Sequence, residues 1–335
     1  MSDDVRIIEG MPADQYFAEP GLSFSALEDL AVSPLRCWYH HINPNRKKEE
    51  PSRALIFGQA LHAAVLEPDQ FEQRFYCDLD IQAEYPEALD TMADLRDWLK
   101  RRVLSAKGNT KADLIKQILS IDPSVQIVDV LESAHEEANR GKIRLNREAW
   151  FRIGDAAQAL REEPKMRELL AFPGKREVSV FVKDPKTGLL LKSRPDFLAQ
   201  KFMADIKTIT APEGKTFDQA VIDAIWNRRY HQRAYFYSLV QSIADGNGKR
   251  SGPQHTREYI LAFVESEPPH EVRLRSIRPL EAAMVAQLWE RARIEVNGLL
   301  QLYADCTKRF GERPWRMSAD VEPLVDEEFR QLAWA

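Results

Sequence analysis

Two carboxylates and an ammonium group stand close together in the stretch RPDFLAQKFMADIKT, residues 194–208. Asp196 follows a proline, and only Ile206 separates Asp205 from Lys207. The flanking residues are apolar and typical of a half-buried strand pair, where a charge costs free energy unless it is paired or binds a metal. The stretch is therefore either a structural ion-pair cluster or a chemical site.

Strand geometry predicts how these side chains meet. Residues i and i+2 of a strand point to the same face, so Asp205 and Lys207 share one face while Ile206 points into the core. The eight residues between Asp196 and Asp205 leave room for a strand, a turn near Gln200-Lys201 and a return that brings the two carboxylates side by side.

Such a cluster has a definite chemistry. Paired carboxylates suit a hard cation such as Mg²⁺ or Mn²⁺, which prefers oxygen ligands. A lysine beside that cation can orient or deprotonate a water and stabilise negative charge that develops on a phosphate. The spacing of Asp196, Asp205 and Lys207 therefore predicts metal-dependent phosphodiester hydrolysis, with a surface ion-pair cluster as the alternative.

The elements that position this stretch predict an α/β (α+β) fold with a mixed central sheet flanked by helices. Apolar and β-branched residues over about 177–208 indicate three consecutive antiparallel strands, with turns at DPKTG and AQK. The predicted elements that follow are helices near 216–226 and 228–244, strands near 257–265 and 270–276, and a helix from about 279 to 310. We expect one domain over residues 1–335.

The first half of the chain is strongly helical. Ser23 or Ser25 can cap a helix, and Ser33-Pro34 begins another. The segment ALIFGQALHAAVLEP predicts a mostly apolar helix that ends before Pro68. Apolar residues recur at helical spacing between 86 and 171, which predicts a run of helices ahead of the strands, with residues 86–120 as a helical insertion.

Composition narrows the classes of partner. The chain carries 47 basic and 52 acidic side chains, a net charge of −5, which argues against non-specific coating of nucleic acid but not against DNA contact in a confined groove. Cys37, Cys77 and Cys306 are far apart, which argues against a disulfide framework. No apolar run approaches membrane-spanning length, and the first residues do not resemble a signal peptide. We expect a cytoplasmic protein without a membrane partner.

Several motifs together resemble the PD-(D/E)xK nuclease superfamily. Pro195-Asp196 and Asp205-Ile206-Lys207 match its motif, and FGQALHAAVLEP resembles the Gly-x-x-x-His helix of its RecB-like branch. SPLRCWYHH, REVSVFVKDPKTGLLLKSRPDFL and YHQRAYFYS resemble segments of the exodeoxyribonuclease VIII (RecE) family. The resemblance covers residues 22–76 and 172–265. It implies a restriction-endonuclease-like nuclease core and Mg²⁺-dependent cleavage of DNA, with Mn²⁺ as a substitute.

The resemblance also implies a role for each residue of the cluster. Asp196 and Asp205 would be metal ligands, and His62 would be a further ligand. Lys207 would position the attacking water or stabilise the transition state. Glu177, at the start of the strand leading to the cluster, would support the metal or its bound water.

Two of these assignments have open alternatives in the sequence. His62 on an apolar helix could instead be a core histidine, although Gly58 one turn earlier would let another backbone or a ligand approach. Glu177 could instead form an ion pair with Lys175 or Arg176.

The helix after the motif departs from the family pattern Gln-x-x-x-Tyr. The tyrosine falls on Tyr237, which the resemblance makes part of the catalytic set, and the glutamine position falls on Arg233, four residues earlier on the same helical face. Gln232 is displaced by one residue. Either Arg233 contacts a DNA phosphate or Gln232 does so through a local shift. Arg228 and Arg229 in the same basic segment are further expected DNA contacts.

A second DNA-binding signal lies in residues 86–120. The segment LRDWLKRRVLSAKGNTKADLIKQIL predicts a helix, a glycine loop and a helix, and it resembles the SAP motif at Gly108, Lys111, Leu114 and Ile115. Lys111 would then contact a phosphate. An ordinary amphipathic helical pair is the alternative.

The resemblance implies an exonuclease that acts at linear double-stranded DNA ends in the cytoplasm of a bacterial host cell. It would digest the 5′ strand and leave 3′ single-stranded tails for a single-strand annealing recombinase, and it would form a homo-oligomeric ring, a trimer or tetramer. The alternatives are a structure-selective or single-strand endonuclease and a non-catalytic DNA-binding protein. Some relatives, AddB among them, hold an iron–sulfur cluster through four cysteines, but this chain has three, so we expect no cluster.

Overall fold

The computed structural model describes residues 5–47, 50–246, 257–277 and 283–317. The elements of the first half are β1 (Val5–Ile8), α1 (Ala13–Ala18), α2 (Phe24–Val32), α3 (Pro34–His41), α4 (Arg53–Leu66), α5 (Pro68–Arg74), β2 (Phe75–Cys77), α6 (Ile81–Glu84), α7 (Met92–Arg101), α8 (Lys111–Ile121), α9 (Val128–Ala138), β3 (Ile143–Leu145) and α10 (Arg147–Glu162). The elements of the second half are α11 (Pro164–Ala171), β4 (Gly174–Arg176), β5 (Ser179–Lys183), β6 (Leu190–Ser193), β7 (Phe197–Ala199), β8 (Phe202–Ile209), α12 (Phe217–Asn227), α13 (Tyr230–Ala244), β9 (Glu258–Glu265), β10 (Val272–Ile277) and α14 (Ala283–Phe310).

The chain forms two compact units. The sheet unit consists of Met1–Pro51, Pro164–Glu265 and Glu271–Ala335, and the helical unit consists of Ser52–Glu163 with Ser266–His270. The single nuclease domain expected over residues 1–335 stays a prediction.

A five-stranded mixed sheet is the main feature of the sheet unit, with the strand order β10-β9-β8-β7-β4. The strands β8 and β9 pair in parallel over Phe202–Ile209 and Glu258–Glu265, and the other pairs are antiparallel. The strands β8, β9 and β10 share one hydrophobic core with residues of α2, α12, α13 and α14. The mixed sheet with flanking helices confirms the predicted α/β fold class.

The prediction of three consecutive strands over 177–208 was wrong in one respect. The stretch forms four short strands in two sheets: β5 and β6 join β1 in a three-stranded antiparallel sheet, and β7 and β8 join the five-stranded sheet. The predicted second strand divides between Ser193 and Phe197. Pro195 lies at the division because a proline has no N–H to donate to a strand ladder. Asp196 therefore lies where the chain passes from one sheet to the other.

The predicted helices of the second half are present with small shifts. The helices α12 and α13 occupy Phe217–Asn227 and Tyr230–Ala244, and Thr216 begins α12 with a capping box in which Gln219 returns the hydrogen bond. Arg229 separates the two helices in the left-handed conformation, with φ at 50°. The first residues expected in the last helix, 279–282, lie outside the described part of the chain.

The helix α14 is amphipathic from residue 286 onward. Trp289, Ala292, Val296 and Leu300 recur at spacings of three and four and are buried in the core of the sheet unit. Ile294 lies on the other face and is exposed. Across the described ranges, the helices lack the combination of length and apolar character that a membrane span requires.

The helical unit contains the predicted helix, glycine loop and helix. Thr91 and Thr110 begin α7 and α8 with capping boxes, and the two helices bury leucine and isoleucine side chains against each other. Gly108 in the loop has a φ of 98°, and a Cβ there would lie 2.4 Å from the Asp113 Cβ. Glycine is needed at this turn for both reasons.

A buried lysine closes the end of helix α1. The Lys192 ammonium donates to the carbonyl oxygens of Tyr16, Phe17 and Glu19 at 3.0, 3.3 and 2.7 Å. Carbonyls at a helix C-terminus lack intrahelical partners, and a cation is favourable there. Burial lowers the pKa of Lys192, with Glu19 opposing the shift.

We expect Lys192→Met to lower the free energy of unfolding by about 1–3 kcal/mol, because methionine keeps the apolar stem but leaves the buried carbonyls without their donor. Urea denaturation measures the loss. Lys183→Met is the matched control, since Lys183 is exposed on the neighbouring strand β5. Equal unfolding midpoints for the two variants would contradict the assigned role.

Candidate active site

The structure brings Asp196 and Asp205 together. The strands β7 and β8 pair antiparallel through Phe197 and Ala204, with the connection at residues 200–201 as predicted, so the two aspartates occupy the adjoining position. The Asp196 N–H donates to the Asp205 Oδ1 at 3.4 Å, and the Ile206 N–H donates to the Asp196 Oδ2 at 2.6 Å. Both residues are buried, with 7% and 1% of their surfaces exposed. A pair of buried carboxylates thus lies at one position of the sheet.

Lys207 shares the face of Asp205, as the strand period predicts. Its Nζ lies 3.1 Å from the Asp205 Oδ2, while Ile206 points into the core. The same Nζ lies 5.9 Å from the centroid of the Tyr230 ring. Burial alone would lower the pKa of Lys207, but the Asp205 and Asp196 carboxylates outweigh it and raise the pKa. The side chain is therefore a stable cation beside the carboxylates.

Tyr259 is a site residue that the sequence did not reveal. Its hydroxyl donates to the Asp205 Oδ2 at 2.5 Å from the neighbouring parallel strand β9. Burial would raise the pKa of Asp205, but Lys207, Arg233 and the Tyr259 hydrogen bond outweigh it and lower the pKa. Asp205 is therefore ionised at neutral pH despite its burial.

Glu177 lies beside Asp196 in a strained conformation. Its φ is 50°, a region that residues with a Cβ rarely occupy, and its N–H donates to the Asp196 carbonyl at 3.1 Å. Carboxylate oxygens of Glu177 and Asp196 lie within 4.8 Å of each other. Arg194 donates from Nε to the Glu177 Oε2 at 2.6 Å, whereas Lys175, an alternative partner in the sequence, pairs with Glu9.

The donor set of these carboxylates fits a hard divalent cation. Asp196, Asp205 and Glu177 offer oxygen ligands only, and such ligands suit Mg²⁺ or Mn²⁺ more than a soft metal. Each carboxylate is oriented by a donor of the protein, which is how outer-shell groups hold metal ligands in place.

Helix α13 turns Arg233, and not Gln232, toward the carboxylates. The Gln232 side chain is buried and its Nε2 donates to the Glu295 Oε2 at 2.6 Å, on α14. Arg233 forms an ion pair with Glu28 at 3.3 Å, and its charge helps to lower the pKa of Asp205. The local shift that would bring Gln232 to the site is absent from this conformation.

Three consecutive aromatic residues of α13 divide between the core and the site. Tyr235 and Phe236 are buried in the core of the sheet unit. Tyr237 is partly buried, with its ring 6.1 Å from that of Tyr259. Burial and the Asp205 charge both raise the pKa of the Tyr237 hydroxyl well above its usual value, so it is a hydrogen-bond donor near Asp205.

A family model described as a PDDEXK-like domain of unknown function (DUF3799) matches residues 23–316. The chain belongs to this PDDEXK-like family. The match confirms the predicted PD-(D/E)xK superfamily and its restriction-endonuclease-like core, and it indicates a nuclease. A solved structure of a candidate exonuclease from Eubacterium rectale is similar, with a TM-score of 0.49, 10% identity and coverage of 96% of this chain and 98% of that chain. None of the curated proteins matches.

Two predicted residues of this PDDEXK-like protein belong to the helical unit. His62 is partly buried on α4, one turn after Gly58. Lys111 begins α8 and forms ion pairs with Asp129 at 2.5 Å and Asp90 at 3.4 Å. A DNA phosphate would have to compete with these carboxylates for Lys111. The ligand role of His62 and the DNA contact of Lys111 stay predictions.

The remaining predicted DNA contacts of the PDDEXK-like protein lie at the junction of α12 and α13. Arg228 is exposed at the end of α12, and Arg229 is partly exposed ahead of α13. Their contact with DNA stays a prediction.

The sequence did not reveal two further charged residues of the site, Arg194 and Glu28. Arg194 directly precedes Pro195-Asp196, and this adjacency was the available signal for its place beside Glu177. Glu28 lies on α2, more than 150 residues before the motif, and no local pattern links it to Arg233. Only the packing of the helices brings it to the site.

We expect Tyr259→Phe to lower the free energy of unfolding by about 1.5–3 kcal/mol at neutral pH, because it removes a hydrogen bond to a buried charge. The pKa of Asp205 is lowered in the folded protein, so this stabilisation is present above the ordinary aspartate pKa and is lost as the pH falls through the folded pKa. Denaturant unfolding at several pH values measures the difference.

Tyr235→Phe is the matched control, because the Tyr235 hydroxyl contacts the neutral Asn297 amide at 3.4 Å. Its effect should be about 1 kcal/mol or less and should not change with pH in the acid range. A Tyr259→Phe effect that stays constant in acid would show that the hydroxyl does not stabilise the ionised Asp205.

Proposed function

We propose that this PDDEXK-like protein is a Mg²⁺-dependent exonuclease that degrades linear double-stranded DNA. It digests the 5′ strand and leaves 3′ single-stranded tails for recombination by strand annealing. The observation that carries the proposal is the buried cluster of Asp196, Asp205 and Lys207, with the Glu177 carboxylate beside it. The segments that resemble exodeoxyribonuclease VIII support the exonuclease activity and its polarity.

The residues of the cluster divide the chemistry among them. A bound Mg²⁺ supplies Lewis-acid activation of a water and of the scissile phosphate. Asp196, Asp205 and Glu177 would hold it, with His62 as the further ligand that the family resemblance implies. Lys207 donates to the attacking water or to a phosphate oxygen and so stabilises the charge that develops there.

The groups around the cluster orient it and bind DNA. Tyr259 keeps the Asp205 carboxylate in place, and Tyr237, whose ring lies 6.1 Å from that of Tyr259, offers a further hydroxyl donor. Arg233 takes the place of the family glutamine and contacts a phosphate near the scissile bond. Arg228 and Arg229 bind the DNA backbone farther out, where phosphate contacts give affinity without sequence preference. Lys111 in the SAP-like segment is a further phosphate contact.

The proposed assembly is a ring of three or four copies around DNA, working with a single-strand annealing recombinase in the bacterial cytoplasm. The net charge of −5 is consistent with an acidic exterior and a basic channel that confines DNA contact. The mass of the particle in solution, measured by light scattering, tests the ring. A monomer that digests DNA processively would contradict it.

We expect Asp205→Ala to lower the rate of digestion of end-labelled linear duplex with Mg²⁺ by at least about 10³-fold, because the variant lacks a metal ligand. DNA binding should largely persist, since backbone contacts and metal chemistry are separable. Release of labelled nucleotides measures cleavage, and gel retardation without metal measures binding.

Two controls sharpen this test. Asp205→Asn keeps the shape of the side chain and should be as inactive, whereas Asp155→Ala, at an exposed position of α10, should digest DNA at the wild-type rate. Rapid nicking of covalently closed circles would favour an endonuclease instead. Full activity of purified Asp205→Ala would show that the site is elsewhere.

A further inference from the structure

The Arg233 guanidinium lies between its own helix, α13, and helix α2. Its Nη2 lies 3.3 Å from the Glu28 Oε2, and its carbon lies 5.3 Å from the Phe24 ring centroid and 5.7 Å from that of Tyr230. Phe24 and Glu28 are four residues apart on α2, and Tyr230 and Arg233 are three apart on α13, so each pair shares a helical face. The guanidinium is thus packed against aromatic rings and paired with one carboxylate.

The Arg233 guanidinium has an N–H donor that can still bind a ligand. Within the described residues, its Nε is buried and has no hydrogen-bond partner. Arginine presents five N–H donors in a rigid fork that matches two phosphate oxygens. A buried donor without an acceptor costs free energy, and a substrate phosphate is an acceptor that fits this fork.

The cationic groups of Arg233 and Lys207 both lie within 6 Å of the Tyr230 ring centroid. The Lys207 Nζ is 5.9 Å from the Tyr230 centroid, and the Arg233 carbon is 5.7 Å from it. The two cations repel each other, because the Arg233 charge opposes the rise in the pKa of Lys207 that the neighbouring carboxylates cause. The Glu28 carboxylate offsets this repulsion on the Arg233 side, as Asp205 does on the Lys207 side.

The charges of the site balance only with Glu28 ionised. Four carboxylates and three cations give the site a net charge of −1. The carboxylates are those of Glu28, Glu177, Asp196 and Asp205, and the cations are Arg194, Lys207 and Arg233. A divalent cation and one phosphodiester bring the sum to zero. Loss of the Glu28 charge leaves the loaded site with one excess positive charge, on the side of Arg233.

We propose that Glu28 is the positioning residue for Arg233: its carboxylate holds the guanidinium where the fork meets the scissile phosphate, at the place where the family pattern has a glutamine. The inference rests on the proposed nuclease function. It adds a residue from α2, outside the motif segments that carry the metal chemistry. A glutamine needs no such anion, because it is neutral, so Glu28 and Arg233 form one functional unit.

The test is a cycle of variants on the full chain. The single-turnover rate is measured on saturating linear duplex with Mg²⁺, together with the DNA concentration for half-saturation. We expect Glu28→Gln to lower the rate about 10- to 100-fold, because a misplaced phosphate contact has this cost, and to change half-saturation by less than about threefold. In the Arg233→Gln background, Glu28→Gln should change the rate by less than about twofold.

Asp245→Asn controls for the loss of an ion pair as such. Asp245 pairs with Arg257 in the same unit, and the side-chain exposures of 27% and 17% are close to the 28% and 23% of Glu28 and Arg233. This control should cleave at the wild-type rate. Thermal unfolding identifies any variant that fails to fold, and Glu28→Asp, which keeps the charge, should recover most of the rate lost in Glu28→Gln.

The outcomes separate the two proposals. Wild-type rates in Glu28→Gln, or an equal loss in the Arg233→Gln background, would overturn the role of Glu28 while the nuclease function stands. If Glu28→Gln does not fold, a Glu28→Asp rate no better than that of Arg233→Gln would overturn the role as well. A wild-type protein that leaves linear DNA uncut at every metal concentration would overturn the nuclease function and this inference with it.

Discussion

The arrangement of this site depends on the free-energy cost of burying the Asp196 and Asp205 carboxylates. A buried carboxylate without partners is several kcal/mol less stable than one in water. Here the Ile206 N–H, the Tyr259 hydroxyl and the Lys207 ammonium meet that cost. Each donor is delivered by the pairing of β8 with a neighbouring strand or by the period of β8 itself. The pairing of the strands therefore stabilises the two carboxylates in the core.

The same constraint accounts for the irregular backbone around the motif. The chain leaves one sheet and enters another at Pro195, which frees the main chain of Asp196 from a continuous ladder. Glu177 adopts a left-handed conformation and binds the Asp196 carbonyl through its N–H. Strained residues persist where the surroundings over-determine them, and Arg194 fixes the Glu177 carboxylate here. The strained backbone of Glu177 and the division of the strand at Pro195 together bring the Glu177 and Asp196 carboxylates close to each other.

Much of this site followed from local periodicity. The shared face of Asp205 and Lys207, the turn before β8 and the return beside Asp196 all rest on strand geometry, which is the same in any sheet. The mixed fold followed from the order of strand and helix patterns. The assignment of three strands failed because apolar content continues through Pro195, while the hydrogen bonds of the ladder do not. The apolar composition of a segment does not show that the proline within it lacks the N–H that a strand ladder needs.

The sequence alone determined the carboxylate–lysine motif and the superfamily, and it predicts metal chemistry at that motif, because these reside in short spacings and residue types. Tertiary structure decided which distant residues complete the site. Tyr259 reaches Asp205 through the register of a parallel pair, and Glu28 reaches Arg233 through the packing of two helices far apart in the chain. The rotation of α13 decided that Arg233 faces the carboxylates and Gln232 faces α14. Register, packing and helix rotation minimise the free energy of the whole core, so no short segment encodes them.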